Sequence, residues 1–258
     1  MKTKRILVCD GTVDGIFTAI YHAYDMRYGH ENIKITEKSD EGSYLNLELF
    51  AEYIEVETDY ELSAKVASSV QRKISREAYE SVVRAALSDV QGRSDVIYRF
   101  LILGYHIGKE VLSYLSNDIV NQIFVMNRNV GNEAHHMTGF LRFKEVGDGL
   151  LLSIIKPKNH IVSLLAPHFA DRLNNENFII YDEGRKIAVL HEKNSEPILM
   201  NLEEEFIKAL DQMKSKQEEY ENLWKTFYQS VSIKERENYA LQRNNLPLRF
   251  RSNMTEFQ

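Results

Sequence analysis

Two hydrophobic periods alternate along the chain, and the places where one gives way to the other mark out its elements. Residues 5–9 form a short apolar run that ends on Asp10-Gly11-Thr12-Val13-Asp14-Gly15. That order reads as a buried strand followed by a tight loop. From Asp14 onward Ile16, Ala19, Ile20, Ala23 and Tyr24 recur at helical spacing. Residues 37–46 read as an exposed loop and 53–56 as a second strand. Thr58-Asp59-Tyr60-Glu61 matches a capping box, opening a helix with Leu62, Val66, Val70 and Ile74 in register. Further helices are predicted over 75–87, from Ser94 through Ile97, Leu101, Tyr105 and Leu112, and from 118 to at least 130.

The period then changes to two. Residues 140–146 and 150–156, joined by Gly147-Asp148-Gly149, predict a hairpin, and 178–182 with 186–191 predict a second through Glu183-Gly184-Arg185. Between them 160–173 reads as helical, with Pro167 either opening a helix or kinking one. From Leu202 the stripe Phe206, Leu210, Met213, Tyr220, Trp224, Phe227 and Val231 is strongly amphipathic, and Ser232-Ile233-Lys234-Glu235 is a second capping box. The expected fold is α+β: one unit with a largely antiparallel sheet of two hairpins, several packed helices and a long helical C-terminal arm. The core is placed at 1–200 and the arm at 201–258.

Composition narrows the class. At 258 residues with 43% hydrophobic and 27% charged positions, the chain has the balance of a soluble globular protein. No apolar run approaches the roughly 20 residues needed to cross a bilayer, and residues 6–9 are too short for a signal-peptide core. A cytoplasmic location is expected. The single cysteine, Cys9, excludes an internal disulfide and a cysteine-rich zinc site. The net charge of −6 argues against broad attraction to nucleic acid. Its distribution does not: residues 225–252 carry six Lys or Arg against two Glu, a local +4. Such a segment suits phosphates, an acidic partner or merely solvent.

Candidate chemistry concentrates in the middle of the chain. Asp10, Thr12 and Asp14 sit at a strand-to-helix turn, where they can cap the helix or offer oxygens to a divalent cation. The loop fits neither the P-loop nor the dinucleotide fingerprint. In Glu133-Ala134-His135-His136, a continuing helix puts Glu133 and His136 on one face, whereas an extended chain pairs Glu133 with His135. Either pair can share a proton, or simply serve a helix terminus. A strand through 140–146 would put Phe140, Arg142 and Lys144 on one side, offering cations to phosphate and a ring to a base. His168, Asp171 and Arg172 share one helical side, as an oriented base with an anion-binding guanidinium or as a structural ion pair. Neither Thr138 nor Ser163 has the setting of a nucleophile. Trp224, Lys225, Phe227 and Tyr228 can stack on a ligand or dock on a partner helix.

Several segments together resemble a known family. They are residues 9–16, 133–143 and 164–172, with Tyr181-Asp182-Glu183-Gly184-Arg185, Trp224-Lys225-Thr226-Phe227, Ile233-Lys234-Glu235-Arg236 and Leu246-Pro247. The chain is identified as a member of the DUF4130 group, whose members are named as proteins of DNA metabolism or DNA repair. The resemblance implies a partner, a radical S-adenosylmethionine protein encoded nearby. It also implies weight on Asp10, Gly11, Asp14, Gly15, Glu133, His135, Met137, Gly139, Phe140, Arg142, His168, Phe169 and Arg172. Position 136 in that pattern is commonly basic rather than His, which favours a Glu133–His135 pair. The chain is not itself the radical enzyme, since one cysteine cannot hold an iron–sulfur cluster.

The expected function is that of an accessory protein of DNA metabolism, binding nucleic acid or a partner repair enzyme. Arg142, Lys144 and Arg172 would contact phosphate, and Glu133, His135 and His168 would form or tune a reactive centre. Asp10 and Asp14 could contribute from the first loop, and Trp224, Lys225 and Arg236 would dock the partner. A hydrolase or lyase acting on a nucleotide or damaged base, with His135 or His168 as acid–base, is the enzymatic alternative. A pure protein-interaction module is the other. No cofactor is called for, and a divalent metal is the one candidate.

Overall fold

The computed structural model describes residues 3–38, 48–147, 149–211, 224–227, 230–231, 233 and 236–254. It is an α+β protein, and its chain divides into two compact units, Met1–Gly131 and Asn132–Gln258. Among the described residues no helix is long and apolar enough to cross a membrane.

The first unit is built on a parallel sheet of three strands, β1 (Lys4–Cys9), β2 (Ile33–Glu37) and β3 (Ala51–Glu55), in the order β2-β1-β3. Ile6, Leu7, Val8 and Cys9 are all buried, the continuous apolar signature of a central parallel strand. Helix α1 (Val13–Asp25) begins at Thr12, whose hydroxyl accepts from the Gly15 N–H at 3.0 Å. Helix α2 (Tyr60–Lys73) is capped by Asp59, which accepts from the Glu61 and Leu62 N–H groups. Thr58, the cap expected from the sequence, instead donates its hydroxyl to Asp10 at 2.6 Å. Helices α3 (Arg76–Ala86) and α4 (Arg93–Ile107) follow. Glu37, at the end of β2, fixes the start of α4 by accepting from the Ser94 N–H at 2.9 Å and the Gly92 N–H at 3.2 Å.

The long helix α5 (Asp118–Phe140) passes through Gly131 and ends nine residues beyond it. The extended reading of 140–143 is therefore corrected: Phe140 is helical, and the strand β4 is only Lys144–Glu145. The Leu141 N–H bonds to Met137 O, and the Arg142 guanidinium donates to the carbonyls of Gly139 (2.8 Å) and Leu141 (3.2 Å). Those bonds satisfy carbonyls that a helix end otherwise leaves open. Phe140, Arg142 and Lys144 consequently do not share one strand face.

In the second unit β4 pairs antiparallel with β5 (Leu150–Ile155), and helix α6 (Val162–Arg172) returns the chain to β6 (Asn177–Asp182). That crossover makes β5 and β6 parallel, while β7 (Ile187–His191) and β8 (Ile198–Asn201) extend the sheet antiparallel. The strand order is β4-β5-β6-β7-β8. Pro167 lies inside α6. Helix α7 (Glu204–Asp211) buries Ile207 against Leu152, Ile179, Tyr181 and Ala188. The described C-terminal elements are helix α8 (Tyr239–Asn245) and a 3-10 segment, Leu248–Asn253. Of the capping box expected at 232–235, Ser232, Lys234 and Glu235 lie outside the described residues, as do the stripe positions Met213 and Tyr220.

Candidate functional site

In a βαβ unit the loop after a strand is the natural position for a site. In the second unit that loop is residues 156–161, between β5 and α6, and two charged side chains hold it. Glu133, in the last turns of α5, is only 1% exposed. Its carboxylate accepts from the Lys158 N–H at 3.1 Å, the Asn159 N–H at 2.8 Å and the Asn159 side-chain amide at 2.6 Å. Arg185, in the turn between β6 and β7, donates to the carbonyls of Pro157 (3.2 Å) and Lys158. Donors and acceptors of consecutive peptide groups are thereby satisfied by one anion and one cation.

Each clamp has its own support. Asp182 is completely buried and accepts from Arg185 Nη1 at 2.9 Å and from the Gly184 and Arg185 N–H groups. Arg249, in the 3-10 segment Leu248–Asn253, brings its guanidinium to 3.6 Å from Glu133 while its side chain stays 47% exposed. The same guanidinium lies 4.6 Å from the centre of the Phe250 ring, an arrangement that attracts a cation to the ring face. Phe250 is buried and packs with Phe140 (5.4 Å) and His136 (5.6 Å). The run Asp182, Arg185, loop, Glu133, Arg249 thus alternates in charge.

The placement of the sequence candidates follows from the helix that carries them. Glu133, His136 and Phe140 lie at i, i+3 and i+7 on α5 and share a face, which buries Glu133 and packs His136 among rings. His135 is exposed. The Glu133–His135 pair favoured by the family pattern is therefore replaced by Glu133–Asn159. His168 and Arg172 are exposed in the last turns of α6, roughly 9 to 15 Å along the axis from the helix start beside the loop. The hydrogen bonds that reach Glu133 come from Lys158 and Asn159, not from His135 or His168. Lys144, on β4, is half-buried. Trp224 and Lys225 belong to a helical stretch, 224–227, in which the Trp224 ring lies 5.9 Å from that of Phe227. Arg236 is exposed and bonds through its N–H to Ile233 O.

In the first unit the acidic loop is occupied by its own neighbours. Asp10 accepts from the Thr12 N–H (2.9 Å) and hydroxyl (2.7 Å) as well as from Thr58. Burial opposes ionisation of Asp10, but the bonds from Thr58 and Thr12 outweigh it and hold the carboxyl below its usual range. Asp14 accepts from the Ser63 hydroxyl at 2.6 Å. Among the described residues no three His, Cys, Asp or Glu side chains come together to hold a metal ion.

The partners that sequence reasoning missed are Asn159, Asp182, Arg185 and Arg249. Asp182-Glu183-Gly184-Arg185 reads as a turn and belongs to a segment of the family resemblance, but nothing local ties it to the 156–161 loop. The family comparison covers all four. A family model described as a domain of unknown function, DUF4130, matches residues 91–256. The chain belongs to the DUF4130 family. No curated protein matches it. In this DUF4130 protein the matched region contains the whole Glu133 network and the α6 candidates, whereas Asp10–Gly15 lies outside it.

Proposed function

We propose that this DUF4130 protein is an accessory factor of DNA metabolism that grips the phosphate backbone of nucleic acid with the rim formed by Lys158 and Arg249. One observation carries the reading: the 157–159 peptide groups are held on both sides by Glu133 and Arg185, so the exposed Lys158 projects from a fixed backbone. Arg249 is seated over the same carboxylate with about half of its side chain in solvent. Cations offered from an ordered frame lose little further freedom on binding, which favours affinity for a regularly spaced anion. A guanidinium seated on an aromatic ring also suits a phosphate beside an unstacked base.

In this reading Glu133 is an anchor and not an acid–base group, because bonds to the loop occupy both of its oxygens. Arg172 and other cations of the +4 segment, Arg236 and Arg243 among them, add backbone contacts. Trp224 and Lys225 serve the radical S-adenosylmethionine partner that the family resemblance implies.

Titrating the full chain against single- and double-stranded oligonucleotides by fluorescence anisotropy, at stepped salt, tests the reading. Phosphate contacts predict an affinity that falls steeply with salt, and Lys158→Ala or Arg249→Ala should each lower the log–log slope by about one. Binding that is absent, indifferent to salt, or unchanged in both variants defeats it.

A further inference from the structure

The five-stranded sheet of the second unit ends on an unusual edge. β8 is its last strand among the described residues, and all four of its residues are exposed. Ile198 is 66% exposed, Leu199 48% and Met200 41%. The direction of its backbone groups follows from the ladder. The Leu202 N–H bonds to Lys186 O, so Met200 and Ile198, two and four residues back, also face β7. The N–H and C=O groups of Leu199 and Asn201 are therefore turned outward. Edge strands in folded proteins are ordinarily blunted by lysine, proline or a bulge. Here proline stands only before the strand, at Pro197, and no charge lies within it.

We propose that β8 is a docking edge for an extended, basic-flanked apolar segment of another protein, added as a sixth, antiparallel strand. The charges around the edge select that occupant. Glu196 precedes β8 and Glu203 and Glu205 follow it, all exposed. Glu204, next to them, is already engaged by Lys186 and Lys208. A strand with Lys or Arg at its ends would meet these carboxylates, while its alternate apolar residues would cover Ile198 and Met200, which share one face of the sheet. A second copy of this chain is a poor occupant. A two-fold edge pairing must be antiparallel, and each register open to the outward groups brings Glu196 within a residue or two of Glu203 or Glu204 of the other copy. Like charges facing across strands repel. This inference is independent of the phosphate rim.

Panning a displayed library of random nonapeptides on the full chain tests it. The expected winners alternate apolar residues and carry Lys or Arg at both ends. Leu199→Pro removes an outward N–H at an edge position that tolerates proline, and should weaken the selected peptides about tenfold or more. The double variant Glu196→Lys/Glu203→Lys leaves the strand intact and should switch the preferred ends to Asp or Glu. It serves equally if Leu199→Pro fails to fold. No enrichment over a protein-free control, or the same winners on the charge-reversed protein, overturns the proposal. So does a dimer in light scattering that Leu199→Pro dissolves, since that would make a second copy the occupant.

Discussion

Asp10 and Glu133 do the same job in different surroundings. Each is a single carboxylate that gathers hydrogen-bond donors at the carboxyl ends of strands, β1 and β3 for Asp10 and β5 for Glu133. Asp10 is exposed and its donors are mostly hydroxyls, from Thr12 and Thr58, plus one N–H. Glu133 is 1% exposed and its donors are two N–H groups and an amide, with a guanidinium alongside. Water can replace the carboxylate at the first site and cannot easily enter the second. A buried donor left without an acceptor costs about 1–3 kcal/mol, whereas a solvated one costs far less. The geometry of the two anchors is similar, and burial sets their energetic weight.

The largest expected effect is therefore at Glu133. Glu133→Ala should lower stability by on the order of 3–5 kcal/mol, since it strands the Lys158 and Asn159 donors and leaves Arg249 without its counter-charge. Arg249→Ala should cost only about 1 kcal/mol, because that guanidinium is half-exposed at 3.6 Å and Glu133 keeps its other donors. Denaturant unfolding at neutral pH gives both values. Near-equal losses would mean that the ion pair, and not the loop, is what Glu133 secures.

A smaller effect is expected at the exposed anchor, and it comes from a glycine. A Cβ at Gly15 would stand 2.0 Å from Asp10 Oδ1 and 3.1 Å from Thr58 Oγ1. The Asp10 carboxylate could yield only by giving up its bonds to Thr12 and Thr58. Gly15→Ala should cost roughly 1–2 kcal/mol. The loss should shrink when Asp10 is already Ala, because the two residues contact each other. Additive losses would show that Asp10 does not hold this loop.

The two anchors were unequally legible in the sequence. Thr12 caps α1 by a local rule and Asp10 bonds to it two residues away, so that part of the turn could be read directly, whereas the bonds of Asp10 to Thr58 and of Asp14 to Ser63 span 48 and 49 residues. The partners of Glu133 lie 26 residues away at Asn159 and 116 residues away at Arg249, and no local rule connects them. Helix α5 also runs through two glycines, Gly131 and Gly139. Each has nothing within 4 Å of an added Cβ, so neither marks a close approach or a break. The hairpin around β6 and β7 was legible from two short apolar runs joined by Glu183-Gly184-Arg185. The parallel strand β2, Ile33-Lys34-Ile35-Thr36-Glu37, was missed although Gly29 and Asn32 form a turn just before it. β8 was missed because all four of its residues lie on the surface, where no alternation of burial marks a strand.

Acid should weaken the Asp10 anchor. The hydrogen bonds from Thr58 and Thr12 depress the Asp10 carboxyl, so the stability it contributes is fully present above the unfolded value near 3.9. That contribution is lost only as pH falls through the lower folded value. The difference in urea midpoint between the parent protein and Asp10→Asn should hold constant from neutral pH to about 5 and close below about 4. A difference that already changes between pH 7 and 5 would place the titrating group elsewhere.

The mildest test concerns the residue beside Asp10. Cys9 is buried while its neighbour is exposed, so the boundary of the first core falls between two adjacent side chains. Burial pushes the Cys9 thiol up to about 11, against the lowering effect of bonds from the Gly11 backbone and Ser94. At neutral pH the reactive thiolate is then a fraction on the order of one in ten thousand. Iodoacetamide should label Cys9 only as the protein unfolds, with a rate that tracks the denaturant transition. Labelling of the native protein at the rate of a free thiol would mean that the end of β1 opens readily. The contrast with Glu133 would then rest on local mobility as much as on burial.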